Sequence, residues 1–243
     1  MRIRTAAFLF FGLFVAGAYA WAVLLLHPFG QYSGAYGDLL NHITLYERHT
    51  TNVVTAVVFD YRGFDTLNEE FMFFIAVVGV LVLFRAMPHD KQERSDIEQQ
   101  SDAVRTFVLG LVDLLALFSL YIILTGHLTP GGGFQGGVML ASAFALTYLS
   151  GNLQSFLRVT PKKAVEILEA VGVGGLALYG VAVLAMGYPL FQNPLPLGKT
   201  GHLLSAGSLP LLNFLTGIAV AMGMMLLMRA YLREVLEGGE GDE

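Results

Sequence analysis

Two carboxylates, Asp65 and Glu69, lie four residues apart at the start of an apolar segment. In a helix this spacing places both side chains on one face, about one turn apart. Carboxylates near membrane depth are costly unless they are paired or functional. One interpretation is therefore a cation or proton site at the membrane edge, with Asp60 and Arg62 close enough in sequence to supply a partner. The alternative is that both acids only complement the positive end of the helix dipole.

Two more acidic positions fall within apolar segments. Asp113 is midway along Val104–Leu124, where a charged Asp costs about 2.5–3.5 kcal/mol on insertion scales. Its side chain must face protein or water, either as a hydrogen-bonded structural group or as part of a proton relay. Glu169 lies deeper in the fifth apolar segment than Glu166, and it is the better functional candidate of the two. The alternative for this pair is an interfacial acid–base cluster with two preceding lysines.

A glycine-rich turn, Thr125–Gly137, joins two of the apolar segments. Glycines at a helix–helix turn permit positive φ angles and close backbone approach, and they suit tight helix packing. No Gly-Lys-Ser/Thr follows, so the turn is not a Walker phosphate loop. A single His in such a turn is more often a structural hydrogen-bonding group than a ligand, and the six scattered His predict no metal site. The candidate structural residues of the turn are His127, Pro130, Gly131, Gly132, Gly133, Phe134, Gly136 and Gly137.

The segments that carry these residues predict an all-α, polytopic integral membrane protein. Of the 243 residues, 55% are hydrophobic and only 14% are charged, whereas a soluble domain carries about a quarter charged residues. A span needs roughly 20 apolar residues, and helices are the default because backbone groups in lipid must pair internally. About six segments qualify: Ala6–Leu26, Leu67–Met87, Val104–Leu124, Gly132–Leu149, Val165–Met186 and Leu209–Met228.

The second span is the least regular. Only Phe71–Phe84 is free of polar residues, so a full-length span must also include Glu69 and its neighbours, or Arg85. Just upstream, Asn52–Phe59 is largely apolar yet too short to cross a bilayer. This segment is predicted to be a surface helix, a re-entrant helix or the first half of a broken helix.

The basic residues predict the orientation of the spans. With six spans, one side of the membrane carries eleven of the 14 Lys and Arg residues. The other side carries three, which are Arg48, Arg62 and Lys199. Because cytoplasmic loops are enriched in Lys and Arg, we expect a multi-pass protein of the cytoplasmic membrane with both termini in the cytoplasm.

Composition and charge patterning also suggest a division of the chain and exclude several functions. We expect a two-helix unit over residues 1–87, a cytoplasmic linker over 88–103, a four-helix unit over 104–233 and an acidic tail over 234–243. The absence of Cys excludes thiolate metal sites and iron–sulfur clusters. The sequence also lacks a cluster of Lys and Arg residues of the kind that would indicate a nucleic-acid partner. The sequence predicts no catalytic residue and no cofactor.

Both units resemble parts of one family of membrane complexes. The motif Gly-His-x-x-Pro-Gly-Gly-Gly-Phe-x-Gly-Gly within Thr125–Gly137, together with Leu203–Gly217, resembles the B subunit of Mrp-type multisubunit Na⁺/H⁺ antiporters. The stretch from Thr51 to Glu69 resembles the C-terminal end of the A subunit of these antiporters. The same segments resemble small and B-like membrane subunits of membrane-bound hydrogenase-type and sulfur-reductase complexes.

The resemblance implies a membrane subunit of a Na⁺/H⁺ antiport module that works only within an assembly. In that family, carboxylates matching Asp65 and Glu69 are implicated in cation translocation, and residues matching Pro130 and Phe134 matter for activity. Na⁺ and H⁺ would compete for the same carboxylate, which couples their fluxes. The expected partners are other membrane subunits, Na⁺, H⁺ and the lipid bilayer. The alternatives are an ion-translocating subunit of a redox-driven complex, or a purely structural subunit of either kind of complex.

Overall fold

A computed structural model describes residues 3–26, 30, 34–86, 101–151 and 153–237. These residues form two compact units, which divide between Leu40 and Asn41. Helices and turns account for the regular structure of the described residues, with no strand among them. The helices are α1 Ile3–Leu24, α2 Ala35–Glu47, α3 Val53–Ala56, α4 Gly63–Ala86, α5 Asp102–Leu124, α6 Gly133–Ser150, α7 Leu153–Val159, α8 Lys162–Ala185 and α9 Leu209–Glu237, and a π-helical turn spans Val57–Tyr61.

Five of the described helices are long and apolar enough to cross a membrane, which confirms the all-α, polytopic class. The apolar stretches are Thr5–Leu24, Gly63–Phe84, Asp102–Leu124, Lys162–Ala185 and Leu209–Glu234. The remaining predicted span corresponds to α6. Its 18 residues give about 27 Å of helix, close to the roughly 30 Å of a bilayer core. That α6 crosses the membrane stays a prediction.

The second unit is built around α9. Helices α4, α5, α6 and α8 all pack against α9, which is the most buried of the five apolar helices. Small residues make these close contacts possible. A Cβ on Gly172 of α8, for example, would meet the backbone of Ala219 at 2.6 Å. The site described below therefore forms where the other helices converge on α9.

The segment before α4 is the first half of a broken helix, the third of the three alternatives for Asn52–Phe59. The Asn52 side chain caps α3 by accepting a hydrogen bond from the amide of Thr55. The helix continues through the π-helical turn and is interrupted at Arg62, where φ is −134° and ψ is 35°. It resumes at Gly63, so α4 gains its full length by including Glu69 and Glu70 in its first two turns.

Two further sequence predictions differ from the structure or lie outside it. Most of the predicted linker, residues 88–100, lies outside the described residues, and α5 begins at Asp102 within the remainder of the linker. The last helix continues to Glu237, beyond the predicted end of the span at Met228. The first residues of the predicted acidic tail are therefore helical, and residues 238–243 lie outside the described part.

Candidate functional site

Asp65 lies in the first turn of α4 and forms an ion pair with Arg62 at the break in the helix. The side chains of Arg62 and Asp65 are 64% and 46% exposed, so the pair lies on the surface of the chain. Such a pair contributes about 1 kcal/mol or less to stability. Asp65 therefore has the partner that the sequence suggested, and its carboxylate remains accessible from outside the bundle.

Glu69 and Glu70 are neighbours with opposite environments. Glu69 is exposed, whereas Glu70 is 2% exposed, and no described residue hydrogen-bonds its Oε2 atom. A buried carboxylate oxygen without a hydrogen bond is costly unless a ligand, water or proton satisfies it. The sequence analysis did not select Glu70. The structure shows that Glu70 shares a helix face with Thr66 and Val77, which are also buried on α4.

Glu70 lies beside a cavity of about 280 Å³. The cavity forms between the broken helix, the glycine-rich turn and the start of α9. Besides Glu70, its polar lining includes Glu69, Thr66, Gln135, Asn213 and Thr216. The hydroxyl of Thr216 is also buried without a hydrogen-bond partner among the described residues. Carboxylate, hydroxyl and amide oxygens suit a hard cation or water molecules.

The broken helix holds the glycine-rich turn in place. The Asn52 side-chain amide donates to the carbonyls of Gly126 at 2.6 Å, Thr129 at 3.0 Å and Gly131 at 3.3 Å. The hydroxyl of Thr55 also donates to Gly126 O, at 2.6 Å. These bonds satisfy turn carbonyls that no helix satisfies, and they fix one wall of the cavity against the other.

The glycines of the turn serve both conformation and packing. Gly131 and Gly132 have φ angles of 121° and 151°, which side-chain-bearing residues rarely adopt. Gly133 donates its amide to Asn213 Oδ1 at 2.9 Å. A Cβ at Gly133 would overlap the Asn213 carbonyl, and one at Gly137 would lie 2.7 Å from Gly217 O. Gly136 packs in the same way against Ile123 of α5.

Three other motif residues take different positions in the turn. His127 is fully buried, and burial lowers the pKa of its imidazole, although the backbone of His202 and Leu203 partly opposes this effect. Pro130 is exposed. Phe134 lines the cavity, and its ring packs edge-to-face against Phe73 with 6.3 Å between centroids.

The remaining two predicted ion-site residues lie outside the cavity. Asp113 is exposed on the surface of α5, among exposed apolar side chains. Glu169 is 5% exposed, and its Oε1 atom has no hydrogen-bond partner among the described residues. The structure therefore brings only Glu69 of the four candidates to the cavity wall, and it adds Glu70.

A partly buried ion pair that the sequence analysis missed lies next to the break. Arg48 Nε is 2.5 Å from Asp60 Oδ2, and the side chain of Asp60 is only 4% exposed. Burial raises the pKa of the Asp60 carboxyl group, while Arg48 opposes the shift. The guanidinium group also lies over the ring of Tyr61, 4.9 Å from its centroid. This pair fixes the end of α2 to the π-helical turn.

The apolar helices and the carboxylate buried beside a partly open cavity define an all-helical membrane protein with polar groups inside its bundle. Residues 103–226, just over half of the chain, match the family described as a domain related to the MnhB subunit of Na⁺/H⁺ antiporters. The chain belongs to this family.

Individual relatives place the chain among components of membrane complexes. It is 36% identical to the B subunit of a Na⁺/H⁺ antiporter of Alkalihalophilus pseudofirmus, over 46% of this chain and 81% of the relative. A probable K⁺/H⁺ antiporter A/B subunit of Rhizobium meliloti is 27% identical over 59% of this chain but only 16% of its own length. A chain of an archaeal membrane-bound sulfane sulfur reductase has the same fold, with a TM-score of 0.72, 33% identity and coverage of 96% of this chain and 99% of that chain.

Proposed function

We propose that this chain is a membrane component of a multisubunit monovalent cation/H⁺ antiporter module and contributes to cation translocation within a larger complex. The observation that carries the proposal is the cavity beside Glu70. One wall of this cavity is the segment that resembles the end of an antiporter A subunit, and the other is the glycine-rich turn that resembles a B subunit. The Rhizobium relative, whose name joins the A and B designations, supports this combination in one chain.

Competition at a carboxylate couples the two ions. A carboxyl group in this position holds either a proton, which makes it neutral, or a cation beside its charged form. Each occupant excludes the other, so bringing in one releases the other. The relatives are named for Na⁺ in one case and for K⁺ in another. We therefore propose only the class of the cation, which is a monovalent ion bound by oxygen atoms, and Na⁺ is the first to test.

The exposed surfaces support a role within an assembly. Asp113 is near the middle of α5 and points away from the bundle of this chain. A charged group at that depth in lipid is unfavourable by about 2.5–3.5 kcal/mol, so a neighbouring protein or water must cover it. We propose that neighbouring membrane subunits cover this surface, that the chain consists of a two-helix and a four-helix membrane unit joined by a linker that ends before Asp102, and that both termini face the cytoplasm.

A second candidate is the ion-translocating component of a redox-driven respiratory complex. The sulfane sulfur reductase chain favours it, since the match covers nearly the whole of both chains. The two candidates differ in their driving force. An antiporter moves protons in response to a cation gradient alone, whereas a redox-driven module needs an electron donor. If the chain is a purely structural component, neither kind of flux should depend on the carboxylates named here.

The test uses the complete complex, purified with its partner subunits and reconstituted in vesicles. Glu70→Gln keeps the shape of the side chain but removes its charge and its titratable group. We expect the complex to assemble and Na⁺-driven proton flux to fall by about tenfold or more, because proton transfer by a positioned group contributes at least this much. Asp65→Asn and Glu69→Gln are expected to weaken the flux as well, since Glu69 lines the cavity and Asp65 lies one turn earlier on the same face of α4.

Asp38→Asn is the matched control, since Asp38 is an exposed acid in α2. Its flux should equal that of the wild-type complex. Normal flux in Glu70→Gln, Asp65→Asn and Glu69→Gln would support the structural alternative. Flux that appears only with an electron donor would assign the chain to the redox-driven class. The same vesicles with K⁺ in place of Na⁺ decide which cation is carried.

A further inference from the structure

Glu169 occupies a buried position where three helices meet. Its carboxylate projects from α8 toward Gly223 of α9, and Phe73 of α4 reaches the same point. A Cβ at Gly223 would lie 3.1 Å from Glu169 Oε1 and 2.6 Å from Phe73 Cε1. The missing side chain at Gly223 thus makes room for both groups. Because Oε1 is buried without a hydrogen-bond partner among the described residues, the packing of the helices does not satisfy this oxygen atom.

Phe73 connects this position to the cavity. It lies one turn after Glu70 on the same face of α4, and its ring packs against Phe134, which lines the cavity. On α9, Thr216 lines the cavity and Gly223 lies beside Glu169. These two residues are seven positions apart, which corresponds to about 10 Å along a helix. Glu70 and Glu169 therefore border the same stretch of the α4–α9 contact.

The two carboxyl groups lie nearer to different ends of the helix bundle. Glu70 is the eighth residue of α4, and Glu169 is the eighth residue of α8. Helices α8 and α9 are antiparallel, because Gly172 meets Ala219 and Gly175 meets Leu215. Helices α4 and α9 run in the same direction, since Glu70 borders the cavity near Thr216 and Phe73 meets Gly223. Glu70 therefore lies about 10 Å from one end of the bundle, and Glu169 lies about 10 Å from the other end.

We propose that Glu169 is a second proton-binding group, which exchanges protons with Glu70 through water molecules along the α4–α9 contact, past the ring of Phe73. The inference rests on the proposed function and deepens it. In the transfer, Glu70 releases its proton to water and becomes a charged carboxylate that can hold a cation. Glu169 accepts a proton from water and becomes neutral. The transfer is reversible, and no other reactant takes part.

The charged groups near Glu169 fit this role. Glu166 on the same helix is exposed and close enough to interact electrostatically with Glu169. On α9, Arg229 is buried and interacts with Glu166 and Arg233, and its Nη1 atom donates to the carbonyl of Thr160. On α4 the acids are Asp65, Glu69 and Glu70, of which Glu70 is buried on the face that carries Phe73. The exposed part of α8 near Glu166 on one side and the cavity on the other are two directions from which a proton can approach Glu169.

Glu169→Gln, Glu169→Asp and Glu166→Gln in the complete complex test the inference. Two quantities are measured on each preparation, Na⁺-driven proton flux in vesicles and retention of radiolabelled Na⁺ by the solubilised complex. We expect Glu169→Gln to lower the flux by about tenfold or more while it retains Na⁺ like the wild type. Glu169→Asp keeps a titratable group and should keep a measurable part of the flux. Glu166→Gln removes an exposed acid one turn away but leaves the titratable group of Glu169 in place, so it should keep most of the flux.

A second measurement does not depend on transport. Infrared difference spectra between about pH 6 and pH 9, a range around the expected titration of a buried carboxyl group, should show a protonated-carboxyl band that Glu169→Gln lacks and Glu166→Gln keeps. Normal flux in Glu169→Gln, or an unchanged band, would overturn the inference. An inactive wild-type complex would instead contradict the proposed function, and the infrared band would still decide whether Glu169 binds a proton.

Discussion

Neighbouring residues on one helix can have unrelated roles, as Glu69 and Glu70 show. Consecutive helical residues are about 100° apart around the axis. When α9 covers one face of α4, it encloses Glu70 and leaves Glu69 at the edge of the cavity. The sequence analysis favoured the i, i+4 pair Asp65 and Glu69, which does share a face. That face is the more exposed one, and the buried carboxylate lies one position further along the chain.

The pH dependence of stability should reveal the burial of His127. Since burial lowers the pKa of His127 below its ordinary value of 6.5, the unfolded chain binds more protons than the folded chain at acidic pH. Stability should therefore be complete above about pH 6.5 and fall as the pH decreases through the folded pKa. We expect the thermal unfolding temperature of the purified complex to drop between pH 7.5 and pH 5.5, and to drop less in His127→Gln.

His202→Gln is the control for this measurement, because His202 is exposed in the neighbouring loop. Its loss of stability on acidification should match that of the wild type. If His127→Gln also loses as much stability as the wild type between the two pH values, then protonation of other groups dominates and His127 does not report on the packing of the turn.

At the scale of elements, the broken helix and the glycine-rich turn form one structural unit. Asn52 is 74 residues from Gly126 in the sequence, yet its side chain bonds to that carbonyl and to two others in the turn. Thr66 stabilises the break itself, since its hydroxyl donates to the carbonyl of Val58. The cavity therefore depends on both elements, and a change in either should alter the wall of the other.

The contact between α6 and α9 predicts the effect of adding one methyl group. Gly133→Ala would place a Cβ against the carbonyl of Asn213, with Thr216 Cβ at 2.9 Å. Overpacking of this kind destabilises by about 1–3 kcal/mol. We expect less assembled complex and a lower unfolding temperature, both measured after purification through a tag on another protein of the complex.

Gly174→Ala is the matched control for the α6–α9 contact. It adds the same methyl group to an apolar helix, where no atom lies within 4 Å of the new Cβ. It should assemble like the wild type, or slightly better because Ala favours helix over Gly. Equal yields of Gly133→Ala and wild-type complex would show that α6 and α9 can move apart without a loss of assembled complex.

At the scale of the whole molecule, the distribution of Lys and Arg predicts the topology of the chain. With six spans, both termini face the cytoplasm, because the side that carries them also carries most of the basic residues. Reporter tags at either terminus should report a cytoplasmic location, and a tag near Asn193 should report the opposite side. A C-terminal tag on the outside would require an odd number of spans, with α6 remaining on one side of the membrane.

The sequence by itself determined the class of the protein and the positions of most helices. Apolar segments of the right length can pair their backbone groups in lipid only as helices, so α1, α4, α5, α8 and α9 are where they were predicted. The role of the glycines in the turn could also be predicted, because glycine is the residue that permits close backbone contact and the φ angles found at Gly131 and Gly132.

Only the tertiary structure decided which carboxyl groups face the interior. Hydropathy reports whether a segment is apolar, but the environment of one side chain depends on which face of its helix a neighbour covers. Asp113 and Glu169 both lie within apolar helices, yet Asp113 is exposed on α5 and Glu169 is enclosed by α4 and α9. The difference arises because α9 packs at the centre of the second unit, and contacts between segments so far apart in the chain leave no periodicity that a single sequence shows.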